Sequence, residues 1–293
     1  MTELPTSASA APAWKRWMTD YNEGLGLVYE RFVLNDLLDD LRARYGVTSV
    51  LEVPIYGMAG VSGINSVGLA RSGCSVWLVD SDSERLRDIE RVWAELGLEP
   101  HLVQQASLAH LPFADASFDL VWNHAALWHV GPQAEALLAE MARVTRRIVF
   151  IAMPNRWQVG YLLRKYVVDK SFFTTVDERW GDLGRIKRLL RAAGLRLVRD
   201  GVVDIPPWPD TVMPAAEFLQ RLGIKSKSVQ DRFQGSSWQW STMDYYTGKN
   251  PALRDKVMRY AFLEHAPLPW QVKAIWAHHR YVVAERENRH GRS

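Results

Sequence analysis

Five short apolar runs, TSVLEV, SVWLVD, HLVQQ, FDLVWN and RRIVFIAM, fall between residues 48 and 153, and helical stretches stand between most of them. Runs that are apolar throughout, rather than alternating, belong to strands covered on both faces. Interleaved with helices, they predict an α/β fold built on a parallel sheet. NSVGLARSG, SERLRDIERVWAELG and EALLAEMARV read as the helices, the second with Leu86, Ile89, Trp93 and Leu96 on one face. After Asn155 the rhythm breaks. GRIKRLLRAAG is again helical, LRLVRDGVVDI reads as a sixth strand and AIWAHHRYVVAE as a last one. The expected core is a seven-stranded sheet, five parallel strands plus a late antiparallel pair, with helices on both faces.

The remaining chain divides around that core. Residues 1–13 are small and polar and read as a disordered tail, 14–46 as an N-terminal helical cap ended by Gly46. The core is expected over 47–205 plus 271–285. Residues 156–182 and 206–270 read as insertions at the acceptor site or a lid, and 286–293 as a charged tail. A formal charge of +3 over 293 residues gives no reason to expect nucleic acid as a partner. Cys74, the single cysteine, cannot form an internal disulfide and reads as a small apolar residue. The N-terminus has no apolar signal region and no run is long enough to span a bilayer, so a soluble, cytoplasmic protein is expected. Thirteen tryptophans are a heavy load, and they suggest a bulky core or an aromatic-lined ligand site. A homodimer interface is an equal explanation for the aromatic insert, which carries Trp208, Trp238, Trp240, Tyr245 and Tyr246.

Residues 50–63, VLEVPIYGMAGVSG, join the first strand to the first helix. Gly57, Gly60 and Gly63 keep side chains away from whatever binds there, as a nucleotide requires. Asp80 closes the second strand, where a carboxylate accepts hydrogen bonds from both ribose hydroxyls. Glu52 closes the first strand directly before the loop. A dinucleotide phosphate is repelled there, whereas a ligand carrying an ammonium near a sulfonium is attracted. The balance favours S-adenosylmethionine over NAD.

With Glu52, the segment GINSVGLARSGCSVWLVD and the segment LPFADASFDLVWNHAALWHV at 111–130, the chain resembles the class I S-adenosylmethionine-dependent methyltransferases, in particular the type 11 group with its LPF…SFD signature. The resemblance covers roughly 48–155 and more loosely the late strands. It departs from the family pattern in Pro54, which stands where the first glycine is expected, in about five extra loop residues, and in Ser107, where the family commonly has an aspartate for the adenine amino group. It implies a Rossmann-like fold, S-adenosylmethionine as cofactor, and cofactor contacts from Glu52, Tyr56, Gly57, Gly60, Gly63, Asp80, Ser81, Ser107, Leu108 and Asn123.

Methyl transfer from a sulfonium is an in-line displacement. Orientation, desolvation and, for some nucleophiles, removal of a proton carry it. His124 follows the fourth strand and is the first candidate for a general base, His129 the second. Tyr21, ahead of the cap helix, is a third candidate for contact with either ligand. Arg156, Trp157 and Tyr161 follow the fifth strand and, with Trp208, Trp240 and Tyr245 of the insert, are the expected substrate-binding residues. The insert is read as a lid over a small aromatic or apolar acceptor, methylated at O, N or C. No metal is expected: adjacent His278 and His279 on a strand point to opposite faces, and no cluster has metal spacing. An NAD(P)-dependent oxidoreductase shares the glycine loop and Asp80. A non-catalytic S-adenosylmethionine-binding or scaffold protein is the third reading.

Overall fold

The computed structural model describes residues 12–19, 21–55, 60–168, 172–208 and 240–287. Seven strands form one sheet: β1 (Ser49–Glu52), β2 (Ser75–Asp80), β3 (His101–Gln104), β4 (Phe118–His124), β5 (Thr145–Pro154), β6 (Leu195–Val203) and β7 (His279–Arg286). Their spatial order is β3-β2-β1-β4-β5-β7-β6. The first five run parallel, and β7 lies antiparallel to both β5 and β6. The late antiparallel pair is therefore β6 with β7, and β7 is the strand that runs against all its neighbours. This is the Rossmann-like sheet expected of the sequence, with the order reversing at β1 and β4.

Two apolar layers sandwich the sheet. On one face lie α1 (Ala13–Thr19), α2 (Leu25–Tyr45), α3 (Val67–Arg71) and α4 (Ser83–Glu95); on the other, α5 (Ala134–Val144) and α7 (Leu183–Ala192), with α6 (Val159–Leu163) between them in sequence. Strand alternation sorts the side chains: Val50, Leu120, Trp122, Phe150 and Tyr281 face α2, whereas Leu51, Val121, Val149, Ile151 and Val282 face α5 and α7. Every residue of β4 is buried, as a central parallel strand requires.

The predicted helical run at 14–45 is interrupted. Asn22, Glu23 and Gly24 break it, Gly24 at φ 83°, and its two parts are α1 and α2. Helix α2 buries Val28, Tyr29, Phe32, Val33, Leu34, Leu38 and Leu41 and stops at Gly46, whose φ of 58° is the left-handed geometry of a helix C-terminus. Of the 206–270 insert, residues 209–239 fall outside the described residues. The remainder adds α8 (Thr242–Tyr246), α9 (Leu253–Met258), α10 (Phe262–His265) and α11 (Trp270–Lys273). Met243, Tyr246, Leu253 and Val257 extend the α2-side core, and Asn35 of α2 donates to the Tyr246 hydroxyl at 2.7 Å. No helix among the described residues is long and apolar enough to cross a membrane.

Candidate active site

The carboxyl ends of β1, β2 and β4 meet where the strand order reverses, the usual crevice of an open α/β sheet. Glu52 sits there, 2% exposed, on the α2 face. Its Oε2 accepts from Ser66 Oγ at 2.6 Å and Oε1 from Asn65 Nδ2 at 3.5 Å. Burial pushes its carboxyl up to about 7, against the partial relief of those two donors. The network runs outward from there. Arg31 of α2 donates to Asn65 Oδ1 at 2.5 Å and pairs with Glu23 at 3.2 Å, and Glu23 Oε2 accepts from the Thr242 amide at 2.6 Å. One buried polar chain thus ties the acid at the end of β1 to the cap and the insert.

Asp80 is buried at the end of β2. Its Oδ1 accepts from Arg85 at 2.7 Å and from the Asp82 amide at 2.9 Å, while its Oδ2 is buried without a hydrogen bond. Helix α4 brings Arg85 back over Oδ1, and Oδ2 is the oxygen that carries no hydrogen bond. Ser81, next to it, is exposed.

Tyr56 and Gly57 lie outside the described residues. The two glycines that follow are committed to packing. Gly60, φ 77°, lies so that a Cβ would meet Glu23 Oε1 at 3.0 Å and Arg31 at 3.1 Å. Gly63, φ 70°, lies under α4, where a Cβ would stand 2.5 Å from Ile89 Cδ1, and its carbonyl accepts from Trp93 Nε1 at 2.8 Å. At Gly63 the missing side chain makes room for helix α4.

Ser107 is exposed and donates to Gln133 Oε1 at 3.1 Å, and Leu108 is buried in the α5-side core. Asn123 does not open into the crevice. The alternation of β4 turns it toward α5, where its Nδ2 lies 3.3 Å from the Val53 carbonyl and 3.5 Å from Met141 Sδ. It braces the chain leaving β1.

His124, two residues beyond Trp122, faces α2 instead. Its Nε2 is 3.5 Å from Glu30 Oε1, and its ring centroid is 4.4 Å from that of His279. Burial holds His124 well below the ordinary histidine range, and burial pushes Glu30 up to about 7. The alternation argument about His278 and His279 fails because β7 begins at His279, leaving His278 outside the strand. Both imidazoles approach Asp204 Oδ2, His278 Nδ1 at 2.8 Å and His279 Nδ1 at 3.6 Å. Neither Glu30, His279 nor Asp204 is marked in the sequence as a site residue; only the fold brings β4, α2, β7 and the end of β6 together. His129 lies in the helical turn after β4, its ring 5.7 Å from Trp128, and burial lowers its pKa. Tyr21 packs against the α2-side core, and burial, followed by the charge of Glu23, raises its hydroxyl.

The expected substrate-binding residues divide into two groups. Trp208 packs edge-on to Tyr29 at 5.5 Å, Tyr245 edge-on to Phe32 at 5.1 Å, and Trp240 takes Lys256 on its face at 5.2 Å. All three are partly buried and pack against the α2-side core. Arg156, Trp157 and Tyr161 do come together, around a cavity of about 230 Å³ that Lys165, Asp182 and Arg280 help line. Arg280 lies against the indoles of both Trp157 and Trp270, at 4.2 and 4.9 Å. Tyr161 and Lys165 both bond Glu178. Arg280 alternates with His279 along β7, and Tyr161 packs on the α5/α7-side core. The cavity therefore opens on the opposite side of the sheet from Glu52, Asp80 and His124.

Residues 58–152 match a family model described as a methyltransferase domain. Over those residues the chain is similar to a methyltransferase domain, and its sheet is of the kind found in the class I enzymes. S-adenosylmethionine is the cofactor of that class. The match begins past Glu52, inside the lengthened loop, and runs to the end of β5. No curated protein matches the chain. Among solved structures, magnesium protoporphyrin IX methyltransferase from Synechocystis PCC 6803, with SAH bound, superposes with a TM-score of 0.53 at 14% identity, covering 94% of this chain and 93% of that one. A SAM-dependent methyltransferase from Aquifex aeolicus gives 20% identity and a TM-score of 0.44, over 60% of this chain and 86% of that one. The first of these supports the fold of the methyltransferase domain, and no more.

Proposed function

We propose that the protein transfers a methyl group from S-adenosylmethionine to an O, N or C atom of a small, aromatic or apolar molecule. The observation that carries this reading is the pair of buried acids on adjacent strand ends. Glu52 is a carboxylate in an enclosed site whose ionised form lacks a direct cationic partner, and the cofactor's ammonium supplies one. Asp80 keeps one buried oxygen for a ribose hydroxyl. Ser107 is the candidate contact for the adenine amino group, which it accepts more weakly than a carboxylate does. The acceptor is read as reaching the methyl group from the α2 face, where His124 lies. The cavity around Arg156, Trp157 and Tyr161 is across the sheet and is given no part in the transfer.

Titration calorimetry with S-adenosylmethionine, S-adenosylhomocysteine, NAD and NADP tests the reading. Micromolar binding of the first two and neither dinucleotide is the expected result. Binding of a dinucleotide alone would sink it and put the oxidoreductase in its place. Cofactor binding without methyl incorporation into any of a panel of small phenols, amines and carboxylic acids would favour a non-catalytic role.

A further inference from the structure

Glu30, His124 and His279 each present one donor atom, and the three donors lie within 4.8 Å of one another. Glu30 Oε1 and His124 Nε2 are 3.5 Å apart, close to the separation of about 3.4 Å that two ligands at 2.0–2.2 Å hold around a tetrahedral ion. His124 Nε2 and His279 Nδ1 are buried and make no hydrogen bond. Buried polar atoms in folded proteins are nearly always partnered, by protein, by ordered water or by an ion. Strand β5 separates the two histidines, and its Ala152 is paired with His124 on one side and with Tyr281 on the other. A residue this small lets the rings lean together above it. Asp204 Oδ2 stands 2.8 Å from His278 Nδ1 and 3.6 Å from His279 Nδ1, so a carboxylate borders the same cluster. Ala125, directly after His124, has φ 51° and Asp204 has φ 67°, so both sides of the cluster hold non-glycine residues in left-handed backbone.

We propose that Glu30, His124 and His279 bind one first-row divalent metal ion at the α2-side end of β4, with coordination positions left open toward the acceptor. Two imidazoles and a carboxylate suit zinc, and iron(II) next. A hydroxyl or amine that enters an open position is held and made more acidic by the ion. Substrates able to offer a chelating oxygen or nitrogen are then favoured over plain hydrocarbons. The ion site does not depend on the cofactor assignment, although its use in methyl transfer rests on that reading.

The experiment is a titration of the full-length, chelator-treated protein with zinc chloride, followed by calorimetry, and with cobalt(II), followed by visible absorption. One equivalent bound at micromolar or tighter Kd, with d–d bands of a nitrogen- and oxygen-ligated cobalt, is expected. His279→Ala and Glu30→Gln are each expected to weaken zinc at least tenfold while S-adenosylmethionine affinity stays unchanged, which also shows that the variants fold. Substoichiometric or millimolar uptake by the unaltered protein overturns the proposal without recourse to any variant. Variants that bind zinc as tightly as the parent overturn it too, since the ion then sits elsewhere. A protein that binds zinc but not S-adenosylmethionine keeps the metal site and removes the methyltransferase reading; the reverse result does the opposite.

Discussion

At the residue scale, Glu52 makes the sharpest statement. Its carboxyl sits at about 7 in the fold against 4.5 as its unperturbed value, raised by burial. A raised acid favours the folded state most when protonated. Its contribution to stability is fully present below pH 4.5 and is lost as pH rises to 7 and beyond, a change on the order of 3 kcal/mol. Glu52→Gln is therefore expected to flatten that part of the pH–stability curve in denaturant titrations. Cofactor binding has the opposite slope, because only the ionised form attracts the ammonium: affinity rises as pH passes through about 7. A pH-independent Kd in calorimetry between pH 5.5 and 8.5 would remove Glu52 from the ammonium site. Asp80→Ala is expected to weaken S-adenosylmethionine by about 1–3 kcal/mol, the loss of a charge-assisted acceptor. An unchanged Kd would mean that Arg85, and not the ribose, is what that carboxylate is for.

At the scale of elements, the turn from β1 to α3 is held by packing on two helices. Gly63→Ala adds a left-handed backbone penalty and a methyl 2.5 Å from Ile89, and is expected to cost about 2–4 kcal/mol in urea unfolding. In an Ile89→Ala background only the backbone part, about 1–2 kcal/mol, should remain. Helix α2 joins the same turn through charge. Arg31→Met strands Glu23 in a fully buried position, and a loss of about 3–5 kcal/mol is expected. The double variant Glu23→Gln/Arg31→Met should recover most of it; if it does not, the pair acts by packing alone. Strands β1, β2, β4 and β5 were legible because each carries a continuous apolar run, and β3, with only Leu102 and Val103 apolar, was legible from its place between helix and strand. The break at Asn22–Gly24 was not, since both sides of it carry helical spacing. Nor was the destination of Trp208 and Tyr245: aromatic composition marks a buried surface but not whether a ligand or a helix covers it.

For the whole molecule, the cap is part of the fold. Seven buried apolar residues of α2 cover one face of the sheet, so a chain starting at Val47 is expected to lack a cooperative unfolding transition by calorimetry. The acids at strand ends could be read from linear order, because each follows its own strand directly. Glu30, His124 and His279 could not, because they are neighbours only through the crossing of α2 over β4, β5 and β7. That crossing has a temporal side as well. Strand β7 wedges between β5 and β6, both of which are synthesised earlier, so the sheet has a gap until residues 279–286 have emerged. During translation β6 has no partner to bond, and His124 has no second imidazole beside it. The sheet therefore closes last at an interior position, between β5 and β6, rather than at an edge, and only once the seventh strand is available.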